Sequence, residues 1–279
     1  MMKTIDSPVK QQNVKKIFWK LGTCSQTLFH ILNREFGCPR EHHERASGSL
    51  AGGILQEGHQ CGMLWGATLA VGAEAYRRSD NLNQATRIAV TTTQHLMRSF
   101  SNRAKTVNCR EITDCDFSSK LSMAKYFFTG KFLACFDLAE KWMPEAIEAV
   151  TQGLVQEQTD QSQQAMSCAS EVAKKMGASE EEMIMVAGFA GGLGLSGNAC
   201  GALSVAVWMK SFDYTKKKST TAIFANPNLK NILKKFHEET GQEILCNKVS
   251  GQCFNNLDEH TEFLKKGGCR KLIDMLASD

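Results

Sequence analysis

Proline is scarce, with four residues in 279, and β-branched runs are few, so the chain does not read as a β-sandwich or barrel. Charge of one sign is also wanting. The net charge of +4 is weak for a nucleic-acid binder, and no nucleic-acid partner is expected. No apolar run of signal-peptide length follows Met1, which sets a cytoplasmic expectation. No two cysteines have the C-x-x-C spacing, which removes thioredoxin-type motifs, zinc ribbons and covalent haem attachment. Walker A and dinucleotide fingerprints are missing. Gly191-Gly192-Leu193-Gly194 is rich in glycine but follows a helical run, not a strand. No general acid–base constellation stands out, so the sequence names no reaction.

What the chain has is a globular share of hydrophobic residues, 42%, and eleven cysteines. In a reducing compartment that many thiols point to metal binding or redox work more than to structural disulfides. The plainer alternative is that they are small buried hydrophobes.

The chain also repeats itself. Residues 51–64 (AGGILQEGHQCGML) and 190–203 (AGGLGLSGNACGAL) are identical at seven of fourteen positions, at an offset of 139, half the chain. The other cysteines then fall into register: Cys24 with Cys168, Cys61 with Cys200, Cys109 with Cys246, Cys115 with Cys253, and Cys135 with Cys269. Only Cys38 lacks a counterpart, and it reads as incidental. The boundary is expected in the polar stretch near residues 152–165, giving repeats at 1–152 and 153–279.

Helical periodicity dominates and no strand alternates convincingly. Ile17, Leu21, Cys24, Leu28, Ile31 and Leu32 recur at three and four. Ser179 followed by Glu180, Glu181 and Glu182 is a helix start, and Pro144 is expected to kink or restart its helix. The fold class expected is all-α, an internally duplicated helical bundle with two pseudo-symmetric halves of four or five helices each. Met183 to Met209 carries no charged side chain, long enough to span a bilayer. Its repeat partner contains Glu57 and His59, so a buried helix is favoured and no membrane partner is expected. Gly58, Gly62 and Gly66, and likewise Gly197 and Gly201, would form one flat stripe on a helix, beside Cys61 and Cys200.

Four thiols on separate segments, Cys24, Cys61, Cys109 and Cys135, can converge if the helices pack together, as can Cys168, Cys200, Cys246 and Cys269. Soft thiolates suit an iron–sulfur cluster, zinc or copper(I). Arg110 and Arg270, each directly after a quartet cysteine, would favour the thiolate. Cys115 and Cys253 could be extra ligands, resolving thiols or core. His59 is replaced by Asn198 in the second copy, and His42–His43 lies among charges as a solvated helix start, so histidine ligation is not expected.

The order of these cysteines resembles the redox-active family named for its motif, C_GCAxxG_C_C. The central block stands here as Gln60-Cys61-Gly62-Met63-Leu64-Trp65-Gly66 and Ala199-Cys200-Gly201-Ala202-Leu203-Ser204-Val205, and the family's Cys-Arg-Glu-Leu stretch as Cys109-Arg110-Glu111-Ile112. Neither block has Gly before its Cys. The second has Val205 for the closing Gly, and Cys246 is followed by Asn247-Lys248. The resemblance implies a helical protein with redox-linked cysteines and favours an iron–sulfur centre. The leading expectation is therefore an electron-transfer protein holding clusters in its two quartets, with an unidentified redox partner protein and room for homo-oligomers. The alternatives are a metal-free dithiol, disulfide or persulfide protein, and an interaction protein with buried cysteines. Zinc, or no cofactor, replaces the cluster in those cases.

Overall fold

A computed structural model describes residues 13–155, 164–217, 224 and 226–278. Among them there are helices and two isolated backbone bridges, and no strand. The first half runs α1 (Val14–Leu21), α2 (Cys24–Glu35), α3 (Glu41–Ala46), a 3-10 turn (Ser47–Leu50), α4 (Gly62–Arg78), α5 (Leu82–Ala104), α6 (Cys109–Thr113), α7 (Lys120–Phe128) and α8 (Phe132–Val155). The second repeats this from α2 onward: α9 (Cys168–Lys175), α10 (Glu180–Met185), a 3-10 turn (Ala187–Phe189), α11 (Gly201–Lys217), α12 (Pro227–Thr240), α13 (Cys246–Val249), α14 (Leu257–Lys265) and α15 (Arg270–Ala277).

This is an all-α duplicated fold, as expected, with more and shorter helices per half than the four or five anticipated. The period from Ile17 to Leu32 conceals a break: Gly22, left-handed at φ 80, caps α1, and α2 restarts at Cys24. Pro144 does not end α8, which continues to Val155. The expected boundary at 152/153 thus falls inside that helix, where Gly153 packs on Thr92 of α5. The polar stretch 156–163 lies outside the described residues. Ser179 caps α10 with a full capping box to Glu182, as its sequence dictates.

The halves interlock. Helix α4 packs against α10, and α11 packs against α3. Trp65 of α4 is fully buried with its edge on Phe189, ring centroids 4.7 Å apart. Gln60 reaches across the middle, donating from Nε2 to the Gly192 carbonyl (3.1 Å) and accepting at Oε1 from the Ala199 amide (3.1 Å). One core includes apolar side chains of both halves. His43, expected to be solvated, is half-buried in this seam instead. It stacks on Phe212 at 4.2 Å and faces Glu182 at 3.2 Å, partners that only the other half supplies.

Among the described residues no helix is long and apolar enough to cross a membrane. The charge-free stretch 183–209 is divided between α10, the 3-10 turn, a coiled-back loop and α11.

Candidate functional site

The glycine blocks build the site by turning, not by forming the expected stripe. Gly52, Gly53, Ile54, Leu55 and Gln56 all have positive φ, and so do Gly191, Gly192, Leu193, Gly194 and Leu195. Five consecutive left-handed residues are costly, about 1–2 kcal/mol for each non-glycine. Matching hydrogen bonds hold both turns: Leu55 N to Ser49 O (2.9 Å) and Gly58 N to Gly52 O (2.9 Å), Gly194 N to Gly188 O (2.8 Å) and Gly197 N to Gly191 O (2.9 Å). Gly58 and Gly197 therefore lie in turns, and only Gly62, Gly66 and Gly201 belong to the helices that follow.

Each turn ends on a cysteine beside a single bridge. In the first half Cys61 N donates to Val107 O (2.7 Å) and Cys109 N to His59 O (2.6 Å). In the second, Cys200 N donates to Ile244 O (2.9 Å) and Cys246 N to Asn198 O (2.6 Å). The bridges Gln60–Asn108 and Ala199–Leu245 thus fix the second and third cysteines of each quartet side by side.

The remaining cysteines are delivered by helix starts. Cys24 and Cys109 are the first residues of α2 and α6, Cys61 caps α4, and Cys135 lies in the first turn of α8. Cys168, Cys200 and Cys246 hold the corresponding positions at α9, α11 and α13, and Cys269 is the left-handed N-cap residue of α15. A helix N-terminus offers unpaired amides and partial positive charge, which favour a thiolate.

The first quartet is electrostatically asymmetric. The Cys24 thiol is held below its ordinary range, first by a hydrogen bond from Cys61 and then, against the opposing effect of burial, by the amides of Gly52, Ser25 and Cys24 itself. Cys61 is pushed well up by donating to Cys24, by burial and by the neighbouring thiols, Cys109 and Cys135 among them. Burial likewise raises Cys109. It lifts Cys135 to about 11, although the Tyr126 hydroxyl, 3.4 Å from Cys135 Sγ, opposes it. Cys115 borders the group, 3.6 Å from the Ser122 hydroxyl. All four expected thiols, with Cys115, are neighbours.

In the second quartet burial raises every thiol, Cys168 to about 12 and Cys200 to about 11, with Cys246 and Cys269 also raised. Gly191 donates to Cys168 as Gly52 does to Cys24. The charge of Cys200 adds to the rise of Cys168, and neither thiol is lowered as Cys24 is. Cys253, the counterpart of Cys115, is exposed, and Cys38 is half-buried.

These raised values fix a pH dependence. A folded thiol ionising at 11 or 12, against about 8.5 unfolded, contributes stability that is intact below pH ~8.5 and lost as pH rises through the folded value, at ~1.4 kcal/mol per unit. The melting temperature is expected to fall steadily between pH 9 and 11, and less steeply in Cys200→Ala. A flat profile for the native chain would contradict the buried quartet.

The first quartet opens to a cavity of about 390 Å³. Cys24, Cys109 and Cys135 line it, while the buried Cys61 does not. Its walls include Phe18, Trp19, Tyr126, Phe127, Phe132 and Phe136, and among the described residues no charged side chain lines it. A cavity of about 560 Å³ in the second half touches Cys269 but not Cys168, Cys200 or Cys246, and Glu239, Glu243, Lys248, Arg270 and Lys271 line it. Sequence reading missed the aromatic chamber, although Tyr126, Phe127, Phe128, Phe132 and Phe136 fall within eleven residues. It also credited Arg110, which turns to Asp116 (3.3 Å) and the Glu57 carbonyl, while the amides of Gly52, Ser25 and Cys24 and the Cys61 thiol support the lowered Cys24. His59 is half-buried and lowered to about 4, chiefly by burial, a neutral packing residue with no place among the thiols.

Four thiols without competing carboxylates suit a soft cofactor in donor chemistry. Among the described residues, however, no three Cys, His, Asp or Glu side chains close into a cage for a metal ion.

The family model described as "Putative redox-active protein (C_GCAxxG_C_C)" matches the chain twice, over residues 23–148 and 162–278. No curated protein and no solved structure matches the chain.

Proposed function

The chain belongs to this redox-active family in two tandem copies, and from that premise we propose that its first half is a two-electron thiol–disulfide couple formed by Cys24 and Cys61. The observation that carries this reading is the packing of the two segments: Cys24 Sγ lies against Gly62, the residue after Cys61, where an added Cβ would sit 2.6 Å from the sulfur, and within this pair Cys24 is lowered while Cys61 is raised. One sulfur is prepared as a nucleophile at the cavity wall, and the other is kept protonated until needed. Toward a disulfide, the Cys24 thiolate attacks one sulfur and displaces the first thiolate, giving a mixed disulfide. Cys61 then loses its proton and attacks Cys24 Sγ, displacing the second thiolate. The Cys24–Cys61 bond forms, and two electrons and two protons pass to the substrate. The second quartet, in which burial raises every thiol, is the structural copy.

A second reading, an iron–sulfur cluster, draws support from four thiols on separate helix starts beside an aromatic-walled space. Cys24, Cys61, Cys109 and Cys135 would hold it, and it would supply one-electron transfer. One preparation made under nitrogen separates the two. The dithiol reading expects no iron or acid-labile sulfide, and a loss of two free thiols, mapped to Cys24 and Cys61, on titration with glutathione disulfide. Stoichiometric iron and sulfide, with visible absorption lost in Cys24→Ser, would establish the cluster instead.

A further inference from the structure

We propose that the aromatic chamber is a binding site for a neutral, flat two-electron acceptor of the quinone class, which oxidises the Cys24–Cys61 pair. This rests on the dithiol reading and names the oxidant it serves.

The chamber selects by charge, shape and polarity together. Among the described residues no charged side chain lines it, so an ionic ligand would be desolvated there without compensation. Its rings present edges and faces to one another: Phe18 and Phe136 at 4.3 Å, Phe117 and Tyr126 at 5.3 Å, Phe132 and Phe136 at 5.9 Å. Such walls favour a planar π system. About 390 Å³ is in the range of small-ligand sites. Polar groups are few, as such sites require: Thr23, Gln56, Thr113 and Tyr126 supply them beside the three cysteines. The entrance is apolar as well: Trp19 is 71% exposed and Phe127 55%.

The positions of the sulfurs complete the chemistry. Cys24 lines the chamber, and the buried Cys61 does not. The Cys24 thiolate adds to a ring carbon, and its electron pair enters the ring. Cys61 gives its proton to one ring oxygen, and its thiolate attacks Cys24 Sγ. The carbon–sulfur bond breaks with its pair retained by the ring, and the sulfur–sulfur bond forms. The second oxygen takes the proton that Cys24 released on ionising. The quinone leaves as hydroquinone, having gained the two electrons and two protons that the thiols lost.

The test uses the reduced full-length chain under nitrogen and 2,3-dimethyl-1,4-naphthoquinone, whose methyl groups block irreversible alkylation. Trp65, Trp142 and Trp208 are fully buried, so quenching of the exposed Trp19 reports binding, with Trp19→Phe as the optical control. The expected result is saturable quenching, one hydroquinone formed per chain, and two thiols lost at Cys24 and Cys61. Phe127→Glu, which places a charge at the entrance, should weaken binding at least about tenfold. If diamide oxidises the pair but the quinone neither binds saturably nor oxidises it, this inference falls and the dithiol couple stands. Quinone consumption without saturation, equal in Phe127→Glu, overturns it equally. If diamide also leaves both thiols free, the couple itself is refuted.

Discussion

Replacing Cys61 by alanine is expected to slow alkylation of Cys24 by iodoacetamide at pH 7 by about threefold to tenfold. The thiolate is the attacking species, and the Cys61 hydrogen bond is its largest support. A hydrogen bond to a charged group contributes about 1.5–3 kcal/mol, and losing it depletes the thiolate at neutral pH. Part of that loss is recovered because a more basic thiolate is intrinsically more nucleophilic, with a Brønsted slope of about 0.4–0.5. The amides of Gly52, Ser25 and Cys24 remain, so some enhancement survives. The rate–pH curve should move to higher pH, the direction required when support for the ionised form is withdrawn. In Cys24→Ser the fast-reacting thiol disappears. In Cys168→Ser it is retained, because Cys168 is raised to about 12 and contributes little thiolate at pH 7. Pulse alkylation followed by peptide mass spectrometry reads all three. Reactivity of Cys24 that is indifferent to Cys61 would remove the asymmetry on which the proposed function stands.

The quartets were legible because duplication does the work that an isolated spacing cannot. Cys24 and Cys109 are 85 positions apart, and nothing local says they meet, but their ordered recurrence as Cys168 and Cys246 does. The helical class was legible for the ordinary reason of apolar periodicity. The left-handed turns were not. Ile54 and Leu55 have no preference for positive φ, and their conformation is imposed by backbone packing around Gly53, where a Cβ would overlap His59 and Gly58. Nor does a sequence advertise a single-residue bridge such as Gln60–Asn108. His43 was misread because its neighbours in sequence are charged while its partners in space, Glu182 and Phe212, belong to the other half. The clustering of rings at 126–136 was visible, but only the fold brings them over Cys24.

The difference between the two sites has a definable structural origin, and exchanging one residue is expected to carry it from one half to the other. On α4, Gly62 and Gly66 let α2 come close. A Cβ on Gly62 would lie 2.6 Å from Cys24 Sγ, and one on Gly66 would overlap the carbonyl of Ser25, whose carbon is 2.8 Å away. The obstacle is backbone, which no rotamer change relieves. In the second half Gly201 matches Gly62, but Val205 fills the place of Gly66, fully buried. There burial raises both the first-turn cysteine of α9 and its partner at α11, and neither is lowered as Cys24 is. Gly66→Val should therefore push α2 from α4. Overpacking of a dense core costs about 1–3 kcal/mol, readable as a lower urea midpoint. The more telling effect is chemical: with the helices apart, Cys24 and Cys61 lose their hydrogen bond, and alkylation of Cys24 should slow to the rate of Cys61→Ala without either sulfur having been touched. Gly66→Ala, smaller but still meeting the Ser25 carbonyl, should fall between. A folded Gly66→Val chain that keeps the native Cys24 rate would show that the pairing of the thiols does not depend on helix approach, and the cause of the asymmetry between the halves would then lie in the amides of the turns.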